Sequence, residues 1–264
     1  MAFNKSELIL DRVRSLVAND LSNGKMLFRL TSLEDPSLSC TAEGEEVTDA
    51  IGALITTLYR AKRATFSATN SLISLDLAAA QYGTTKIVGS DTSKIDDYTY
   101  DILTVTGADG ETVKTKHTPK NAADIKWAYS LVNGEIATAY AAGSAASATE
   151  FVIANDGKIT PPTGFTGKLY IEYIYENTDA VKITNKASEF PTACALTIYA
   201  YFKDRCNENV TYSGKIICPK AKLNPEQVEL ALTSTGKHSF QFDMMRDYCS
   251  AEDEDELFSI IVSA

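Results

Sequence analysis

Five cysteines, two histidines, one acidic run and one basic cluster are the residues whose types could do chemistry in this 264-residue chain. Cys40, Cys194, Cys206, Cys218 and Cys249 include no C-x-x-C pair, so zinc ribbons and thioredoxin-type redox motifs are unsupported. The even spacing of Cys194, Cys206 and Cys218 has the look of a metal set. Cys194 and Cys218 nevertheless fall in strand-like runs, where cysteine acts as a small apolar filler. An odd count also argues against a closed set of disulfides. His117 lies in a polar stretch beside Pro119, and His238 precedes the alternation of Phe240 and Phe242. A catalytic triad needs a base held between a nucleophile and a carboxylate, and neither histidine sits in such a motif. The run Glu252-Asp-Glu-Asp-Glu256 offers carboxylate oxygens for Ca²⁺ or Mg²⁺, yet it lacks EF-hand spacing and reads as a solvated turn.

Motifs that would force an enzyme reading are missing. Gly-Lys occurs at Gly24, Gly157, Gly167, Gly214 and Gly236, but the residues five places earlier are Asn19, Val152, Pro162, Asn209 and Ala231. A phosphate-binding loop needs glycine there. No G-x-S-x-G elbow, H-E-x-x-H or G-x-G-x-x-G is present. No catalytic residue, metal ligand or cofactor is therefore assigned. The basic cluster Arg60, Lys62 and Arg63 could meet phosphate, or it could pair with Glu43, Glu45 and Glu46 of the same or a neighbouring chain. The ion-pair reading suits an acidic protein better, since Asp plus Glu is 35 against 25 for Lys plus Arg, a net charge of −10. The same balance disfavours a nucleic-acid wrapper.

These residues must be positioned by elements legible in the pattern. With 44% hydrophobic and 23% charged residues, the composition is that of a folded protein. Glu7, Asp11, Arg12 and Arg14 break the start of the chain, so no signal peptide is expected, and no uncharged run has the apolarity of a membrane span. Leu8, Ile9, Val13, Leu16, Val17 and Leu21 have helical spacing and predict an N-terminal helix over 4–21, followed by a strand over 25–31. The polar, proline-containing stretch 33–48 reads as a loop. Residues 51–75 read as two strand-like pieces, and 72–82 as a second helix that Gly83 stops.

From 84 to about 180 the texture changes to short β runs separated by turns. Asp109-Gly110, Asn133-Gly134 and Asn155-Asp-Gly157 are hairpin signals, and 167–176 is the clearest strand. The Ala/Ser/Gly stretch 141–149 reads as an exposed loop. This section is expected to be a small β-sandwich inserted in a host. Longer strands return after 181. Tyr170, Tyr173 and Tyr175, with Tyr199, Tyr201 and Phe202, place aromatics on both strand faces, as a thick core, a subunit interface or, less favoured, a carbohydrate site would. The fold class is mainly β, a β-sandwich or barrel with one or two helices. Its domains are 1–83 with 181–264, a core carrying the N-terminal helix, and the inserted module 84–180.

Two stretches give a family likeness: 45–70 (EEVTDAIGALITTLYRAKRATFSATN), and 210–221 (VTYSGKIICPKA) continuing through 236–242 (GKHSFQF) to 257–261 (LFSII). The chain resembles the tail tube (major tail) proteins of long-tailed bacteriophages over about 40–83 and 190–264. The module 84–180 departs from the compact form of that family. The resemblance implies a virion protein made in the host cytoplasm. It would assemble with itself as stacked hexameric rings around a channel that passes DNA without specific binding, with sheath or other tail proteins as further partners and no membrane. An acidic channel wall would repel phosphates rather than hold them. On this reading Ile55, Tyr59, Phe66, Tyr199 and Tyr201 are the candidate subunit-interface residues. Arg60, Lys62 and Arg63 with Glu43, Glu45 and Glu46 are candidate inter-subunit ion pairs. The N-terminal segment, 33–48 and the C-terminal segment are natural arms. The alternatives are a capsid-decoration or tail-completion protein, or a carbohydrate- or cell-surface-binding β-module.

Overall fold

The structure, a computed structural model, describes residues 7–207, 209–227, 229–230, 236–248 and 255–263. The chain divides into two compact units. One is Met1–Lys86 with Ile183–Ala264, and the other is the inserted Ile87–Lys182. Cys249 and most of the acidic run, 252–254, lie outside the described residues.

In the first unit, β1 (Leu8–Asp20), β2 (Met26–Leu30), β3 (Leu33–Thr48) and β4 (Leu54–Asn70) precede one helix, α1 (Leu75–Gln81). The helix expected over 4–21 is instead strand β1, with residues 1–6 outside the described set. Two bulges, at Leu10/Arg12 and Val13/Ser15, explain the misreading. Each adds one residue to β1 against its partner, and each inverts the period-2 alternation. The apolar positions thereby acquire spacings of three that imitate a helix. The stretch 33–48 is also a strand rather than a loop. Its Pro36 falls inside a bulge between Glu34 and Ser37, where no ladder hydrogen bond is lost, and β3 lies at the edge of its sheet. β4 is one continuous strand rather than two pieces. Helix α1 forms where the Leu/Ala-rich run was read. The Ser74 hydroxyl accepts from the Leu77 N–H at 3.3 Å to start it, and Gly83 at φ +67° closes it through Gly83 N–H to Ala80 O and Thr84 N–H to Ala79 O.

The inserted unit contains β5 (Ile87–Val88), β6 (Ile95–Val105), β7 (Val113–Lys114), β8 (Trp127–Val132), β9 (Glu135–Ala142), β10 (Glu150–Ile153), β11 (Lys158–Thr160), β12 (Gly167–Asn177) and β13 (Val181–Lys182). Seven of these form one sheet in the order β6-β12-β8-β9-β10-β11-β7, while β13 pairs with β5. Asn133 and Gly134, both at positive φ, make the turn between β8 and β9. Gly157 turns β10 into β11. The hairpin expected at Asp109-Gly110 does not form, because β7 pairs with β11. The Glu111 carboxylate collects the N–H groups of Thr106, Gly107 and Ala108 there instead. Ala141 and Ala142, read as loop, belong to β9 and pair in parallel with β10. The sheet encloses Val105, Phe151, Ile159, Leu169, Ile171 and Tyr173. Lys116 N–H reaches Asp101 on β6 and His117 N–H reaches the Tyr173 hydroxyl on β12, so the chain after β7 is tied to the opposite end of the strand order.

The first unit resumes with β14 (Ala193–Asp204), β15 (Thr211–Leu223), β16 (Glu229–Leu230), β17 (His238–Met244) and β18 (Ser259–Ser263). The strand order is β2-β1-β14-β15-β17-β4-β3, with β18 on β15 and β16 on β17. Although β2 and β17 are not neighbours in that order, the rings of Phe28 and Phe242 stack at 6.4 Å. The sheet therefore curls around its own core, which Leu16, Phe66, Leu77, Leu196, Ile198 and Phe240 fill with them. β14 turns Cys194, Leu196, Ile198 and Ala200 inward and leaves Thr197, Tyr199 and Tyr201 half-buried on its other face. Burial pushes the thiols of Cys194 and Cys218 up to about 12 and about 11, so both are inert packing groups. Among the described residues, no helix is long and apolar enough to cross a membrane.

Candidate assembly surface

Ladder pairing carries β3 and β4 well beyond the core. From Thr41 to Arg63 nearly every residue is exposed, although Glu43↔Arg60, Glu45↔Leu58 and Val47↔Thr56 keep the two strands in register. At about 3.3 Å per residue this ribbon extends roughly 25 Å past its root. Its tip is a tight turn in which the Asp49 carboxylate accepts from the N–H groups of Ile51 and Ala53, with Gly52 at φ +83°. Three bulges shape it, the one nearest the tip placing Ile55 as an extra residue opposite Val47 and Thr48. The other two are centred on Asp35 near the root and on Ala61, both non-glycine residues at positive φ.

Opposite charges lace the ribbon. Arg60 meets Glu45 at 3.3 Å and Arg63 meets Glu43 at 3.4 Å, both diagonally across the strands. These two pairs form within one chain. All four side chains are solvated, so the pairs fix register more than they add stability. Lys62 and Glu46 form no salt bridge among the described residues. The apolar side chains of the ribbon lie in the open: Ile51 is 89% exposed, Tyr59 75% and Ile55 64%, with Leu54 and Leu58 also exposed. Tyr59 shares one face with Thr57 and Glu46 and lies over Gly44. An isolated two-stranded ribbon is marginal in water, so this apolar surface calls for a cover.

Phe66 marks where the ribbon meets the body. It is 2% exposed, lies opposite Leu38 and Phe242 in the ladders, and packs its ring against Phe240 at 6.4 Å. It is a core residue of its own chain and offers no surface to a neighbour. Tyr199 and Tyr201 stand elsewhere, on the half-buried face of β14. Tyr201 lies beneath the guanidinium groups of Arg12 and Arg14, at 5.6 and 5.8 Å. Near them, β18 runs antiparallel to β15 with Ile260 and Ile261 exposed. The opposite edge of β18 carries no partner strand among the described residues, a template for pairing with another chain.

Of the sequence candidates, Ile55, Tyr59, Arg60, Arg63, Glu43 and Glu45 come together on the ribbon, whereas Phe66 and the β14 tyrosines do not join them. Sequence reading passed over Ile51, Leu54 and Leu58. The signal for them was the Asp49-to-Gly52 turn between two alternating runs, hidden by the reading of 33–48 as a loop. The histidines lie apart: His117 stacks on Tyr175 at 4.1 Å in the inserted unit, and His238 is buried in the first. Among the described residues, no group of three His, Cys, Asp or Glu side chains is placed to hold a metal ion.

No curated protein matches the chain. The model of the YomU/Tube protein family matches residues 8–255, which takes in both units. The chain belongs to the YomU/Tube protein family.

Proposed function

We propose that this YomU/Tube family member is a structural virion protein whose copies assemble as stacked rings, hexameric as in the tail tube proteins it resembles, forming the tube that conducts DNA. The observation that supports this reading is the β3–β4 ribbon. A folded chain keeps a register-fixed arm outside its own core and arms it with Ile51, Leu54, Ile55, Leu58 and Tyr59. The cover this surface calls for is a neighbouring copy, which buries the apolar face and orders the arm at once. The edge of β18 that has no partner strand among the described residues supplies a second contact, through backbone pairing with the next subunit. The net charge of −10 suits a channel whose wall must release DNA.

The test is electron microscopy of the purified protein over a rising concentration series, beside a variant in which residues 42–62 are replaced by a short Gly-Ser turn. Hollow rods or rings of uniform width from the native chain, and dispersed particles from the shortened one, are the expected result. A dispersed monomer at every concentration from the native chain would overturn the reading and favour a decoration role.

A further inference from the structure

The inserted unit carries a face and a groove that tube assembly does not explain. On β6 the side chains of Tyr98, Tyr100 and Ile102 point outward; on β12 it is Tyr170, Glu172 and Ile174; on β8 it is Trp127 and Tyr129. The ladders place them side by side: Tyr170 lies opposite both Ile102 and Tyr129, Glu172 opposite Tyr100, and Ile174 opposite Tyr98. Tyr170 approaches Tyr100 at 5.3 Å and Tyr129 at 6.4 Å between ring centroids, which makes a row of rings across three strands. The row is open, with Tyr98 78% and Tyr100 58% exposed. One end of it descends into a groove of about 580 Å³ walled by Tyr98, Tyr100, Glu172, Asp96, Lys120 and Asp124. That volume is within the range of small-molecule sites.

The polar groups of the groove state what it can hold. Asp96 is satisfied by Lys120, whose ammonium it accepts at 2.6 and 2.7 Å. One Glu172 oxygen accepts from the Tyr170 hydroxyl. Among the described residues, the second Glu172 oxygen, the Asp124 carboxylate and the Tyr98 and Tyr100 hydroxyls have no hydrogen-bond partner. The groove therefore presents acceptors and donors together, beside aromatic faces. A phosphate, a nucleic acid or an anionic lipid surface meets three carboxylates. An organic cation meets the Lys120 ammonium and leaves the phenol donors unused. A protein partner would bury Glu172 amid rings while the one cation of the groove, Lys120, is held by Asp96, so it would have to bring a counter-charge of its own. A neutral polyol satisfies all of them: its hydroxyls donate to Glu172 and Asp124 and accept from the tyrosines, while its C–H faces lie on the rings.

We infer that the groove of Tyr98, Tyr100, Glu172 and Asp124, with the tyrosine row leading into it, is a binding site for a neutral saccharide chain. The site is contained in the inserted unit and stands whether or not the chain forms tubes.

The test is an array of neutral oligosaccharides probed with the full-length protein, followed by titration of the strongest glycan. Fluorescence of Trp127, the one tryptophan of the chain, on the same face, is the readout. Binding of at least one neutral glycan is expected. Tyr100→Ala and Glu172→Gln should each weaken it at least tenfold, with unchanged circular dichroism, while Tyr59→Ala on the ribbon leaves it intact. No binding at millimolar glycan, or binding indifferent to both groove variants, would overturn the assignment. Tetramethylammonium or a sulfated glycan bound in preference to every neutral one would overturn it too, as would loss of self-assembly in Glu172→Gln without any glycan effect. Rod formation is scored separately by microscopy, so failure of the tube reading leaves this result readable.

Discussion

His238 Nε2 meets Gln81 Oε1 inside the first unit, joining strand β17 to helix α1, and among the described residues His238 Nδ1 has no hydrogen-bond partner. Gln81 in turn donates to the Ser239 carbonyl at 3.2 Å. With Gln81 accepting, Nε2 carries the proton and the ring is neutral. Burial pushes its pKa down from 6.5 to about 4. Above pH 6.5 both folded and unfolded chains hold a neutral ring, and this stability is fully present. As pH falls below 6.5 the unfolded chain takes up the proton first, so stability is lost progressively until the folded chain protonates near pH 4. The loss amounts to about 3 kcal/mol over that window. Urea unfolding at steps from pH 7.5 to 4 should show a steeper decline for the native chain than for His238→Gln, which keeps a neutral amide against Gln81. Parallel declines would remove His238 as the cause.

The ribbon predicts a separation of folding from assembly. Ile55 and Tyr59 touch little of their own chain, so Ile55→Asp and Tyr59→Asp should change unfolding free energy by no more than about 0.5 kcal/mol. Both should abolish rods seen by microscopy, because each puts a charge into the surface a neighbour must cover. Rods of normal length from Tyr59→Asp would place the assembly contacts elsewhere.

Phe66 should behave oppositely to its ribbon neighbours. Its ring is enclosed by Leu38, Phe240 and Phe242. Phe66→Ala removes a core ring and should cost about 3–5 kcal/mol of stability in the isolated chain. A melt unchanged from native would mean that the ring is not packed as described.

Legibility in the sequence followed the regularity of the strands. β12 and β17 alternate without interruption and were readable, as was the Asn133-Gly134 turn, whose residue types demand positive φ. β1 and β3 were not, for one reason: each contains bulges that break the period of two, and in β3 a proline occupies the bulge. Nothing local distinguishes Pro36 in a bulge from Pro36 in a loop. The partner strand decides, and β4 lies beyond a turn. Phe66 was misplaced because alternation locates a residue on a face but does not say whether its own chain or another covers that face. Charge alone names Glu43 and Glu45 as partners for Arg60 and Arg63, while the pairing of Arg60 with Glu45 and of Arg63 with Glu43 inside one hairpin needed the register.

Two glycines at similar φ should respond differently to a methyl group. At Gly83, φ +67°, an added Cβ would lie 2.2 Å from the Phe190 carbonyl oxygen. At Gly24, φ +70°, nothing lies within 4 Å. Gly24→Ala therefore bears only the left-handed backbone cost of about 1 kcal/mol, and Gly83→Ala must also displace backbone, for a total of about 3 kcal/mol or more. Thermal melts of the two variants check the difference, and equal shifts would deny the close approach of Phe190.

Excision of the inserted unit tests whether the two compact units fold separately. Its ends are already adjacent, since Ile87 pairs with Lys182 and Val88 with Val181. The core of the first unit draws its buried side chains only from residues before Ile87 and after Lys182. Joining residue 86 to residue 183 through a few glycines and serines closes a loop shorter than the 96 residues of Ile87–Lys182 that it replaces, which costs less entropy. The shortened chain should melt cooperatively, keep its β-sheet circular dichroism and still form rods of the native inner diameter, while losing all saccharide binding. A chain that fails to fold after excision would show that the first unit depends on the insert, and rods that retain glycan binding would move the saccharide site out of it.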